Sequence, residues 1–198
     1  ASLITSDANA VDEGWTVSFA EAKAQAAKEG KSILMEFTGS DWCPPCKALH
    51  AKVLSQDVFK VKAPKNFILL KLDNPRDKSH QTVEEQAQYR KLSAQYKVTG
   101  VPTIILADDQ GRPYHQQVGY SGDPADKYVA DLVQKSTILA KRNEFLAKAD
   151  QAEGAERAKL LDQATLESAS WLGPALLTEA VHICKVNASA GLSARPTM

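Results

Sequence analysis

The 198-residue chain has no charge of one sign to spare, since 24 Lys and Arg stand against 24 Asp and Glu. A protein that holds nucleic acid or an anionic membrane by charge alone carries a basic excess, so neither partner is expected. The densest basic stretch, Lys47 to Lys78, sets eight Lys and Arg against three Asp and Glu without aromatics interleaved as stacking platforms. It reads as a solvated face. Long apolar runs are missing too. The best, Val101 to Ala107, is broken by Pro102 and Thr103 and falls far short of the 18 or so residues of a membrane span, so no membrane insertion is expected. Three cysteines are too few for a disulfide-stapled scaffold. Apolar residues are not scarce: at 43% of a chain this long, about 70% of the unfolded surface can be buried, which excludes wholesale disorder.

The opening residues show no positively charged start followed by an apolar core. The chain begins with Ala1 rather than Met, and residues 1–13 are small and polar, read here as a flexible segment. This fits the trimmed product of an exported precursor, its signal peptide absent from the chain, or a boundary cut from a longer chain.

Trp15 to Val17 predicts a short strand, and Ser18 with Glu21 has capping-box spacing at the start of an Ala-rich helix ending at Gly30. Ile33 to Phe37 reads as a strand buried on both faces, with one acid, Glu36, in it. A loop, Thr38 to Asp41, leads into a helix that begins at the cysteines and runs to about Ser55. Phe67 to Leu72 is a second buried strand, Thr82 to Tyr96 a polar, exposed helix, and Thr103 to Leu106 with Tyr114 to Val118 a hairpin. Asp123 and Pro124 supply an N-cap and a proline at the first helical position. Alternating strands and helices predict an α/β mixed sheet flanked by helices over residues 14–136. An all-helical extension follows over 137–187, with breaks at Glu153-Gly154 and Gly173-Pro174, and then a flexible tail over 188–198.

The chemistry centres on Cys43-Pro44-Pro45-Cys46. Two thiols spaced this way at the first turn of a helix can close a small disulfide ring, and the positive end of the helix dipole favours the first thiolate. Cys43 is therefore the expected nucleophile. Cys46, one turn further in, is the expected resolving thiol, attacking the mixed disulfide from within the molecule. Two blander readings stand beside this one: an inert pair, and a zinc half-site with His50 on roughly the same helical face, for which no fourth ligand is evident.

Trp42-Cys43-Pro44-Pro45-Cys46-Lys47 after a buried strand, with Gly100-Val101-Pro102-Thr103 before another, resembles the thioredoxin superfamily over residues 15 to 135. The segment Phe37 to Cys43 is more similar to bacterial exported thioredoxin-like proteins than to cytosolic thioredoxin. The resemblance implies a thioredoxin-like fold and thiol–disulfide exchange with protein thiols and disulfides. It also implies an upstream redox partner, a periplasmic or otherwise exported setting, and no cofactor beyond the redox-active disulfide. It implies that Pro102 is cis against the cysteine pair, that the Val101 backbone pairs with substrate, and that Trp42 lines the substrate groove. Family members often carry a buried acid six residues before the first cysteine, where it assists proton transfer at the resolving thiol. Here Glu36 is seven before, and a one-residue insertion in the loop restores the match. Burial raises the pKa of such a carboxyl, which suits a proton shuttle; the alternative is an outward-facing acid or an ion pair with Lys71.

Because Pro44 and Pro45 lack N–H groups, only those of Cys46 and Lys47 are left to support the Cys43 thiolate. The Lys47 charge favours ionisation and Asp41 opposes it. The expected thiol is acidic relative to the free value of about 8.5 but far from the extreme of about 3.5. Reductase or isomerase work is thus expected ahead of oxidase work. Rival readings are a thioredoxin-like binding module, whose helical tail recruits a partner or forms an oligomer, and a thiol-based metal carrier. Cys184 falls in an apolar stripe and is expected to be a buried, inert thiol, while His80, His115 and His182 have no partners at catalytic spacing.

Overall fold

The computed structural model describes residues 14–169. The chain divides into two compact units, one ending at Val133 and the other beginning at Gln134.

The first unit is built on a five-stranded sheet of order β1-β3-β2-β4-β5. β1 is Trp15–Thr16, β2 Ser32–Thr38, β3 Phe67–Asp73, β4 Thr103–Ala107 and β5 Pro113–Val118. β1, β3 and β2 run parallel, while β4 is antiparallel to both β2 and β5. Every residue of β2 is buried, as its unbroken apolar run requires of a central strand covered on both faces. Alternate residues point to opposite sides. Ile33, Met35 and Phe37 pack with Ile68, Leu70 and Leu72 against Ala22 and Ala26 of α1 (Phe19–Glu29) and Leu92 of α4 (Val83–Gln95). The other face of β2 carries Leu34, Glu36 and Thr38.

The helix ends show how local chemistry sets boundaries. The Ser18 hydroxyl accepts the Glu21 N–H at 3.3 Å, but the Glu21 carboxylate turns to the Thr16 hydroxyl instead, so only half of the expected box forms. Gly30 closes α1 with φ +65°, a left-handed turn glycine adopts without penalty. The complete capping box is at α4, where Thr82 and Glu85 each accept the other's backbone N–H. α4 buries only Leu92 of its own residues, in keeping with its polar sequence, while Tyr96, which follows it, is buried and its hydroxyl donates to the Gly111 carbonyl at 2.7 Å.

Three further expectations are corrected. The helix beginning at the cysteines, α2 (Pro44–Leu49), does not run on as an α-helix to Ser55, because it widens into a π-helical turn over His50–Leu54. A helix absent from the sequence reading, α3 (Asp57–Asn66), follows and packs Phe59 in a stack with Trp15. α5 begins at Ala125 rather than at Pro124, whose carbonyl accepts the Tyr128 N–H at 2.9 Å. The Asp123 carboxylate meanwhile pairs with Lys127 at 2.6 Å.

α5 (Ala125–Asp150) continues into the second unit and is followed there by α6 (Gly154–Ala169), the break at Gly154 coming where the sequence places it. Ala149, Leu160 and Ala164 are buried, and the Arg157 guanidinium donates to the Ala149 carbonyl at 2.7 Å. No described helix is long and apolar enough to cross a membrane. The break at Gly173-Pro174, His182 and Cys184 lie outside the described residues.

Candidate active site

The loop from Gly39 to Trp42 turns the chain from β2 into α2, with the Gly39 carbonyl accepting the N–H of Cys43 at 2.9 Å. Cys43 then takes the N-cap position with extended backbone, and Pro44 and Pro45 fill the first helical turn, where missing N–H groups cost nothing. Cys43 and Cys46 form a disulfide with Cα atoms 5.3 Å apart. The Cys46 N–H points at Cys43 Sγ at 3.2 Å. The Lys47 N–H does not join it: it bonds the Cys43 carbonyl at 3.1 Å, and the Lys47 ammonium donates to the Asp41 carbonyl at 2.6 Å. One backbone donor therefore reaches the sulfur, where two are expected from the sequence. In this oxidised form Cys43 and Cys46 are 2% and 1% exposed, so the two sulfurs differ in helix position, Cys43 at the N-cap and Cys46 within the first turn, and not in accessibility.

Val101 and Pro102 are joined by a cis peptide bond, and the Val101 carbonyl lies 3.6 Å from Cys43 Sγ. The segment is held by the Gly119 N–H, which donates to the Pro102 carbonyl at 2.7 Å, and by the Thr103 hydroxyl, which donates to the Gly100 carbonyl at 2.7 Å. Trp42 is 37% exposed at the rim. Its indole N–H donates to the Asn74 carbonyl at 2.9 Å and the Arg76 guanidinium sits 5.8 Å from its ring. The chain passes under the indole at Gly39, where a Cβ would collide with the ring.

Glu36 is 2% exposed, which removes the outward-facing alternative. It stands opposite Lys71 in the β2–β3 register. Both line one cavity with Cys46, Lys47 and His50. From α5, Tyr128 lies close enough to feel the Glu36 charge: burial raises its phenol pKa, and the carboxylate raises it further. His80 is exposed and His115 is half-buried in β5; neither joins the cysteines.

A second set of contacts, not anticipated from the sequence, braces the cysteine loop. The Asp41 carboxylate accepts the backbone N–H groups of Arg76 at 2.9 Å and Asp77 at 3.0 Å, and these bonds lower its pKa. Ser40 bonds Asp73 through both its N–H and its hydroxyl, and the Asn74 N–H donates to the Thr38 carbonyl at 2.9 Å. The partners are more than thirty residues apart, and an aspartate two before a cysteine is the only local signal.

A family model described as a thioredoxin-like domain matches residues 19–135. The chain belongs to the thioredoxin-like family. A curated relative, the disulfide bond reductase DsbH of Chlamydia pneumoniae, is 37% identical over 115 residues, covering 58% of this chain and 68% of the relative. A thioredoxin-related protein of the same organism, DsbJ, is 22% identical over 129 residues, but these are 63% of this chain and only 36% of that protein. Among solved structures, a DsbH oxidoreductase superposes with a TM-score of 0.57 at 30% identity, over 61% of this chain and 82% of that one. With the thioredoxin-like fold and the Cys43–Cys46 disulfide in place, this chain is a thiol–disulfide oxidoreductase.

Proposed function

We propose that the chain is a protein-disulfide reductase, or an isomerase, with Cys43 as nucleophile and Cys46 as resolving thiol. The observation that carries the reading is the placement of Cys43 Sγ, at a helix N-cap, 3.2 Å from the Cys46 N–H and 3.6 Å from the Val101 carbonyl. The Cys43 thiolate attacks a substrate disulfide, forming a mixed disulfide and releasing one substrate thiolate. The Cys46 thiolate then attacks Cys43 Sγ, the bond to substrate breaks, and the second substrate thiolate leaves while the Cys43–Cys46 disulfide forms. An upstream dithiol restores the reduced pair, and the electrons need no organic cofactor.

Trp42, Val101 and Pro102 form the substrate groove in this reading, with the Val101 carbonyl available to an extended peptide. Glu36 takes the proton that Cys46 must lose. Reduction is favoured over oxidation because a single backbone N–H supports the Cys43 thiolate and the Lys47 ammonium is turned to the Asp41 carbonyl. A less stabilised thiolate makes a less oxidising pair. The DsbH relative, named as a disulfide bond reductase, points the same way, and its kinship supports an exported setting. The helical extension serves partner choice or self-association rather than the chemistry.

Insulin reduction under dithiothreitol, with trapping by single-cysteine variants, tests this. Cys46→Ser should accumulate mixed disulfides with substrate proteins and Cys43→Ser should abolish exchange. Capture by Cys43→Ser alone would reverse the roles, and no acceleration of insulin reduction by the wild type would leave a binding module.

A further inference from the structure

We propose that His50 is the proton gate of the resolving thiol, carrying the proton between the buried Cys46–Glu36 pair and solvent. The proposal rests on the exchange reading above and extends it to a residue which that reading leaves unused.

Each turnover that closes the Cys43–Cys46 disulfide removes a proton from Cys46, and the next reduction returns one. Cys46 is 1% exposed and Glu36 2% exposed, so protons reach them through the cavity they line rather than across an open surface. Both open onto a cavity of about 310 Å³, whose other charged or titratable lining residues are Lys47, Lys71 and His50. That volume is ample for the few waters that a proton path needs. A lysine ammonium has three donors and no acceptor, so neither lysine receives a proton. Imidazole both accepts and donates, and it is the side chain that changes charge between about pH 5 and 8.

Position supports the same role. His50 follows Cys46 by one helical turn, its backbone N–H bonding the Cys46 carbonyl, which puts the two side chains on one face. It is half-buried and lines the cavity. The π-helical turn starts at this residue, whose carbonyl accepts the Ser55 N–H at 2.9 Å. Such turns recur at functional positions. The groups facing the gate are Lys47 from α2, Glu36 from β2 and Lys71 from β3, and Glu36 is faced in turn by Tyr128 from α5. A proton that reaches Glu36 thus meets one side chain on the cavity wall able both to accept it and to hand it on, His50.

The experiment follows reduced full-length protein reacting with oxidised glutathione across pH 5 to 9. The first phase, mixed-disulfide formation at Cys43, depends on glutathione concentration; the second, resolution by Cys46, does not. Wild type should show an inflection between about pH 5 and 8 in the second phase. His50→Gln should lose that inflection and resolve at least about tenfold more slowly at neutral pH, with the first phase unchanged. Free imidazole should restore His50→Ala. A His50→Gln profile that superimposes on the wild type, or a His50→Ala protein indifferent to imidazole, overturns the gate while leaving exchange intact. A wild type that forms no Cys43–Cys46 disulfide overturns the exchange reading and the gate with it.

Discussion

The Asp41 carboxylate accepts the Arg76 backbone N–H at 2.9 Å, tying the residue two before the nucleophile to the loop that follows β3. Arg76 in turn lies over the Trp42 ring, so the clamp reaches the rim aromatic through its guanidinium. The bonds to Arg76 and Asp77 keep the Asp41 pKa below its ordinary value. The clamp is thus complete above the unfolded carboxylate pKa of about 3.9 and is lost as pH falls through the lower folded value. In an NMR acid titration the Trp42 indole N–H resonance should hold steady down to about pH 4 and move below it. Asp41→Ala should show the displaced resonance already at neutral pH, and an unmoved one would mean that the clamp does not set the indole.

Glu36→Gln keeps the size and hydrogen-bonding capacity of the side chain but cannot carry a proton. It should fold normally and slow the step in which Cys46 deprotonates by on the order of 100-fold, the low end of general acid–base contributions. Unchanged single-turnover kinetics across pH 6 to 8 would leave Glu36 as a structural partner of Lys71.

Gly39 passes beneath the Trp42 indole so closely that any Cβ collides with the ring. Gly39→Ala should therefore displace Trp42, cost about 1–3 kcal/mol in denaturant unfolding, and raise KM for protein substrates more than for glutathione. Equal effects on both substrates would place Trp42 outside the groove.

Burial pushes the Tyr96 pKa up to about 12, with Asp108 adding to it. The unfolded phenol ionises near pH 10 while the folded one stays neutral, so the unfolded state binds fewer protons in between and stability falls as pH rises. The melting temperature should drop between pH 10 and 12. Tyr96→Phe should flatten part of that slope, Tyr128 supplying another part, while costing about 1 kcal/mol at neutral pH for the lost bond to Gly111. A slope identical to the wild type's would mean that Tyr96 ionises freely in the fold.

Much of the fold was legible because its signals are local. The apolar runs of β2 and β3 specify buried central strands, and the paired motifs at Cys43 and Pro102 mark the site. α3 escaped notice because Lys alternates with apolar residues along Asp57–Asn66, Pro64 interrupts the helical pattern, and its N-cap, Gln56, makes no side-chain bond. The π-helical turn has no residue signature, and the Asp41–Arg76 clamp joins segments that sequence proximity never pairs. The Lys47 N–H misses the sulfur for a related reason, being committed to continuing the helix.

The sheet's two borders carry a consequence for how this molecule meets extended chains. β1 is only two residues long, and β5 opens on Pro113, carries Gln116 and Gln117, and pairs through an irregularity at Leu106/Ala107. Neither border is a long, flat, apolar ribbon on which another strand can grow, and such borders are how β-proteins escape edge-to-edge aggregation. An extended chain therefore finds no ready edge on which to add a strand, and the molecule can meet unfolded polypeptide without templating a fibre from its sheet.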